Sequence, residues 1–423
     1  MARRICPFIV LLFLSLAIFS AHHGFAQVHY PFLFDYTYSA RMGAHNIITL
    51  HRGLYGLEGK ILKACWFDED NFGKKAAGLT YRLAKSILVD YALDHLSFLG
   101  QHEVFGHGAR YREFGYVDNE FTLNLPPPYG NGRGWARTGY LKEDRITGPH
   151  ERLGMILGGS ESNAVLSQVL RSNWLQRGSI HYRESILYIL SANDLSSYIL
   201  RTRYNLRGEG GNDVLNYLRT LNSQHGYFLE ENHKLTLDDL AARAWINMLD
   251  PFLYFSLYAY FKTYLWSGDE SVPVPMIKWG GARYLPSFHL VLTPFGPEYY
   301  FENLVVKNGR IYDVYLRYGN PTFHKFWGMG AHVMNLVKGA RISLDARVDI
   351  WNQPPLLLGG ERMTETGGGW GGSIQGAVYY RLFKNRPLFH LTAQAGYKTA
   401  GFLKGEQLAG GFILRVGISF YGL

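Results

Sequence analysis

The chain has 423 residues, 47% hydrophobic and 18% charged, enough for two domains with cores of their own. Aromatic content of 15% and 48 glycines point to β-rich, membrane-facing structure. The net charge of +9 is spread thinly, with no Lys/Arg run interleaved with aromatic residues; this excludes a nucleic-acid interface and suits an anionic membrane surface.

Residues 1–26 read as a secretory signal peptide. Arg3-Arg4 is the basic start, Phe8 to Phe19 a short apolar run, and Gly24-Phe25-Ala26 the small-residue cleavage region. The run is too short for a membrane span. Cys6 leaves with this segment, so Cys65 stands alone, and neither a disulfide nor a cysteine metal site is expected. Residues 27–78 form an N-terminal strand and loop segment that joins the β region. Tyr30, Phe32, Phe34, Tyr36 and Tyr38 alternate on one face, and His45 to His51 reads as a second strand.

From 79 to 270 the period becomes helical. Helices are predicted over Leu79–Arg112, Glu151–Trp174, Arg183–Arg203, Asn212–Leu221 and Leu237–Trp266, the last broken near Pro251. A breaker-rich loop, Pro126-Pro127-Pro128-Tyr129-Gly130, separates the first two. From 271 to 423 the chain alternates with period two, in about eight strands. In Arg341–Ile350, for example, Ile342, Leu344, Ala346 and Val348 oppose Ser343, Asp345, Arg347 and Asp349. Asn308-Gly309 is a tight hairpin signal. This region resembles bacterial outer-membrane β-barrel proteins, whose apolar strand faces meet lipid and whose polar faces fill the lumen; the aromatic Phe420-Tyr421 near the end fits that pattern. A soluble barrel or sandwich would show the same alternation with the apolar face as core. The strand charges Arg341, Asp345, Arg347, Asp349, Arg381 and Arg415 are expected to pair across a small, filled lumen.

The chemistry centres on Gln101-His102-Glu103-Val104-Phe105-Gly106-His107-Gly108. Two histidines one turn apart on a helix can hold Zn²⁺ while a neighbouring glutamate polarises a water. Here the interval is five residues rather than four, which in a regular helix leaves the two side chains about 140° apart. Three solutions are open. A π-helical turn could absorb the extra residue; the helix could end at Gly106; or Glu103 and His107, four apart, could be the ligand pair.

The motif is similar to that of the glutamate-zincin metallopeptidases. That resemblance implies His102 and His107 as zinc ligands, Glu103 as general base and a downstream glutamate as third ligand. Glu161, in Glu161-Ser162-Asn163-Ala164, fits the expected context. His150 and His181 are alternative third ligands, and Asp94 is a candidate to orient a ligating histidine by a hydrogen bond.

The expected fold is therefore α+β: a helical zincin-like domain (79–270) and a C-terminal antiparallel β-barrel (271–423) of about eight strands, or ten if 28–52 contributes. The helical part is expected outside the barrel, on the periplasmic side of the bacterial outer membrane. The expected function is a membrane-associated, Zn²⁺-dependent peptidase-like hydrolase with outer-membrane lipid as neighbour and a peptide or protein as substrate. The alternatives are a noncatalytic barrel whose helical domain binds a partner or lipid, and a hydrolase directed at lipid.

Overall fold

The computed structural model describes residues 28–62, 72–141, 145–204, 211–225, 234–319, 325–383 and 386–421. The signal-peptide segment and Cys65 lie outside the described residues. In chain order, β1 (His29–Phe34) leads into α1 (Ala40–Leu62) and α2 (Phe72–Lys85). A π-helical stretch, Ser86–Asp90, joins α2 to α3 (Tyr91–His102), and a π-helical turn, Glu103–His107, joins α3 to α4 (Gly108–Glu113). Two small ribbons follow, β2 (Tyr116–Val117) with β5 (Tyr140–Leu141) and β3 (Glu120–Leu123) with β4 (Gly134–Arg137).

Next come α5 (Pro149–Arg177), β6 (Ser179–His181), α6 (Tyr182–Ala192), α7 (Asp194–Tyr204), α8 (Asp213–His225) and α9 (Leu237–Ala244). A 3₁₀ turn, Trp245–Leu249, precedes α10 (Pro251–Tyr258), which runs on as a π-helix over Ala259–Ser267. The remainder is strand: β7 (Ser271–Pro273), β8 (Ile277–Trp279), β9 (Ala282–Thr293), β10 (Gly296–Lys307), β11 (Arg310–Gly319), β12 (Trp327–Lys338), β13 (Ile342–Leu358), β14 (Thr364–Phe383), β15 (Arg386–Lys398) and β16 (Gly411–Tyr421).

The expected α+β class is what the chain adopts. β9 to β16 are the eight strands that alternation predicts, and Asn308-Gly309 turns between β10 and β11 with both residues at positive φ. Ten strands form one antiparallel sheet in the order β1-β16-β15-β14-β13-β12-β11-β10-β9-β8. β1 does join, through Tyr30↔Phe420 and its neighbours. The tenth strand is β8 and not His45–His51. Those residues belong to α1, where Ala40, Ala44, Ile47 and Ile48 make a buried stripe at helical spacing. A short window reads as alternation what the longer stretch shows to be a helix.

The sheet is not closed into the expected barrel: β1 and β8 are its two edges. The physical reason lies in the free sides of the edge strands. On β1, Pro31 has no N–H to offer, and its carbonyl accepts from Thr49 Oγ1 at 2.8 Å. The Leu33 N–H donates to Asn46 Oδ1 at 2.6 Å, and the Leu33 carbonyl accepts from Asn46 Nδ2 at 2.9 Å. Side chains of α1 thus occupy the positions that another strand would take. At the other edge β8 is three residues long. On β9 beyond it, Pro286 again lacks a donor, and the Leu290 N–H donates to Asn247 Oδ1 at 2.6 Å.

The strand faces are sorted by polarity. On β11, Asp313, Tyr315 and Arg317 are buried, while Val314, Leu316 and Tyr318 are exposed. On β16, Arg415 and Ser419 are buried, and Phe412, Leu414, Val416 and Ile418 are exposed. The polar face packs on α5, which correctly replaces the expectation that the helices stand outside. Arg171 of α5 pairs with Glu302 of β10 and donates to Ser287 Oγ of β9 at 2.7 Å. The segment 399–410 between β15 and β16 folds back into the same interior, where Glu406 pairs with Arg415 and Arg41. The strand charges do not pair across a lumen as expected: Arg347 pairs with Asp349 two residues along the same strand, Asp345 accepts from Asn335 N–H and Tyr379 O–H, and Arg415 pairs with Glu406 and Asp35.

One core cluster joins β1, α1, α5, α6 and α10 to Leu285, Leu304 and Ile311 of the sheet, and a second joins α5, α7, α8 and α9 to Leu290 and Leu292. Asn46→Leu keeps the branched heavy-atom skeleton and removes both bonds to Leu33. It is expected to lower stability by about 1–3 kcal/mol, because a strand edge is left unpaired. Denaturant unfolding in detergent measures this, and an unchanged midpoint would show that the β1 edge does not depend on Asn46.

Candidate metal centre

The i, i+5 histidine spacing is absorbed by the π-helical turn Glu103–His107, one of the three solutions open from the sequence. The Gly108 N–H donates to Glu103 O, five residues back. A turn one residue longer returns His107 to the face of His102, and the ring centroids stand 5.0 Å apart. This turn crosses α5 at very short range. A Cβ on Gly106 would fall 2.5 Å from Gly158 O, and one on Gly158 would fall 2.7 Å from Gly106 O. Gly106 is thus required for close approach.

The α5 residues facing the site are Met155, Gly159 and Asn163, spaced four apart along one helical stripe. The His107 Nδ1–H donates to Met155 O at 2.7 Å. His102 Nδ1 lies 3.0 Å from Asp194 Oδ2, which also accepts from Asn163 Nδ2 at 2.9 Å. Gly159 leaves room for the His102 ring, since a Cβ there would lie 2.2 Å from Nε2. With both Nδ1 atoms engaged, both Nε2 atoms point at one place. Asp213 Oδ2 stands there, 3.3 Å from His107 Nε2 and 3.7 Å from His102 Nε2. The three ligand atoms lie within 4.8 Å of one another. Tetrahedral ligands at about 2 Å from zinc stand about 3.3 Å apart, so the separations suit a shared cation. Engagement of the distal ring nitrogen by a carboxylate or a carbonyl is the usual support of a metal-binding histidine.

Glu103 is buried beside this cluster, against Gly134 of β4, whose Cβ would fall 2.9 Å from Glu103 Oε1. Burial raises the Glu103 pKa, and the carboxylates of Asp213 and Asp194 add to the rise against the pull of the two histidines. Burial works against protonation of His102, but Asp194, Asp213 and Glu103 together carry its pKa well above the ordinary imidazole value. His107 moves the same way: burial opposes, and Asp213 prevails. Asp213 is pushed below the usual carboxylate range, with burial opposing and the two imidazoles prevailing. Its place in the first turn of α8 also favours the anion. The group opens on a cavity of about 1200 Å³ lined by Tyr111, Trp135, Tyr198 and the arginines Arg133, Arg152 and Arg201.

His102, His107 and Glu103 are brought together. Glu161 is placed elsewhere. Its two carboxylate oxygens accept from Arg110 Nη2 at 2.7 Å, and Oε1 also accepts from the Gly405 N–H at 2.7 Å. The reason is helical phase: two residues on from Gly159 is a turn of about 200°, so Glu161 faces the 399–410 segment. Asp94 lies 3.5 Å from His51, His150 accepts from the Leu357 N–H, and His181 stacks on Tyr55 and Tyr182. Sequence reasoning missed Asp213 and Asp194. Each opens a helix, where an acid reads as a favourable first-turn residue, and no spacing ties either to the histidines.

Comparison with known proteins finds no matching family model, no matching curated protein and no matching solved structure.

Metal analysis of the purified chain is expected to give one divalent ion per molecule. Ala at His102, His107 or Asp213 is expected to abolish this, and Asp194→Asn to weaken affinity about 10–100-fold. Glu161→Gln is expected to keep the ion and to lose about 3 kcal/mol of stability, since it leaves the buried Arg110 short of a partner. Loss of metal in Glu161→Gln at unchanged stability would reverse this assignment.

Proposed function

We propose that the chain is a membrane-embedded, divalent-metal-dependent hydrolase, with His102, His107 and Asp213 as ligands and Glu103 as general base. The observation that carries this reading is the convergence of two Nε2 atoms and one carboxylate whose other contacts are already made. A donor set of two imidazoles and one carboxylate fits Zn²⁺ and leaves a fourth position open. It differs from the zincin-like expectation in drawing its third ligand from Asp213. A cation held there supplies a polarised water and a Lewis acid. Glu103, whose pKa burial raises, takes the proton from the attacking water and delivers it to the leaving group. Tyr111 and Tyr198 line the cavity wall and in this reading hold the scissile group, and the cavity is large enough for a peptide segment.

The outer face of the sheet supports the membrane part. Large apolar side chains left in water forfeit about 1.5–3 kcal/mol each, and soluble monomers rarely expose such patches. Here Phe412 is 85% and Trp370 63% exposed, with Leu414, Val416, Leu391 and Ile374 between strand ends. Aromatic pairs mark two levels, Trp327–Trp370 and Tyr397–Phe412 at one, Phe389–Phe420 at the other. Tyr397 and Phe389 are about 27 Å apart along β15 and closer in height if the strand tilts. That matches the apolar band of about 25 Å between aromatic girdles in outer-membrane barrels. The outer membrane of a bacterium, with lipid as the neighbour, is the location this suits.

A second reading has its own observation. At 3.3 Å, His107 and Asp213 make an ion pair with no metal, which suits a noncatalytic membrane protein whose helices bind a partner. Glu103→Gln separates the two. With zinc content unchanged, hydrolysis of a fluorogenic peptide mixture, or of phospholipid offered to the same sample, is expected to fall about 10²–10⁴-fold. Equal turnover by wild type and variant removes Glu103 as base, and metal-free wild-type protein favours the ion pair.

A further inference from the structure

The ten strands end in two open edges, at β1 and β8, and helices pack beside them. α1 packs on β1, and α10 packs on β9 and α6; the π-helical continuation of α10 packs on α2. α1 and α10 bury apolar side chains of their own, yet both also turn large apolar side chains outward, with exposed Lys262 on the continuation of α10 lying over the Trp266 ring. Where α2 passes into the π-helical stretch, Lys85 and Asp90 are buried and bonded to each other at 2.7 Å, whereas Ile87, Leu88 and Val89 are exposed. On α10 and its continuation Ser256 and Thr263 are buried, whereas Tyr258, Phe261 and Trp266 are exposed. A helix washed by water would turn its polar side outward.

We propose that this helical wall faces membrane hydrocarbon and completes the apolar belt that the sheet begins. The proposal rests on the membrane reading above. In hydrocarbon an open strand edge is untenable, because its N–H and C=O groups find no water. Asn46, Thr49 and Asn247 take up edge groups of Pro31, Leu33 and Leu290, and helices satisfy their own backbones. No described helix is long and apolar enough to cross a membrane alone. The wall does not need one, since its inner side is packed on protein. α10 and its continuation, of 8 and 9 residues, together rise at most about 25 Å at the α-helical 1.5 Å per residue, comparable to the strand belt.

The test is spin-label accessibility in vesicles of phosphatidylethanolamine and phosphatidylglycerol, using the mature full chain in a Cys65→Ser background. Single cysteines go to Val416 on the sheet, to Ile87 and Phe261 on the wall, and to exposed Asp269 as the aqueous control. Leu88 and Tyr258 are second sites should a label disturb folding. High oxygen and low nickel-chelate accessibility at Val416, Ile87 and Phe261, severalfold different from Asp269, is the expected result. Lipid exposure at Val416 with aqueous exposure at all the wall sites would overturn the wall and leave the membrane reading standing. Aqueous exposure at every site would overturn both.

Discussion

Neither Gly106 nor Gly158 can carry a Cβ, because each would run into the backbone of the other. That contact fixes how close the π-helical turn comes to α5, and the candidate metal centre follows from it. Only at this distance can Met155 O reach the His107 ring, and Asn163 the Asp194 carboxylate that holds His102. Gly159 then gives His102 the space that any other side chain would take. The extra residue between the histidines is a necessary part of the arrangement, since the wider turn presents both rings to one stripe of α5.

The opposite side of α5 does different work. Glu161, Gln168 and Arg171 give the helix a polar flank, matched by Arg110 for Glu161 and by the sheet for Gln168 and Arg171. Buried ion pairs contribute little net stability over apolar packing, but each makes the wrong register costly, because a displaced partner leaves a bare charge. Arg171 with Glu302, and Glu161 with Arg110 and Gly405, therefore fix where α5 lies along the strands and where the 399–410 segment enters. A polar interior releases the apolar strand face for the outside.

Much of this was legible in the sequence, and the failures have definite causes. Period-two alternation located β9 to β16, because neither a lipid-facing nor a water-facing sheet changes that period. Alternation says nothing of closure, which depends on whether edges pair; Pro31 and Pro286 were the signs, each readable only once its neighbours are known. The histidine pair and Glu103 were visible from residue order, and so was the means of accommodating them. The third carboxylate was not. Glu161 has the right residue type on a suitable helix but the wrong phase relative to Gly159. Asp213 has the right place and no local signature, being set there by the packing of Val214, Tyr217 and Leu221 of α8 with Leu157 of α5 and Leu292 of β9.

The edge and the site are also joined. Gln101, the residue before His102, is fully buried and donates to Ala40 O of α1 and Ser162 O of α5 at 2.9 Å each. Ser162 returns the contact through its hydroxyl to Gln101 O at 2.7 Å. The helix that finishes the β1 edge with Asn46 and Thr49 is thus bonded to the helix that carries the histidines. A closed barrel would have had no use for α1 at that edge, and α3 would have lost one of its two anchors. The open sheet and the candidate metal centre are best understood as one design, in which the element that replaces the missing strand also holds the two histidines at their distance from α5.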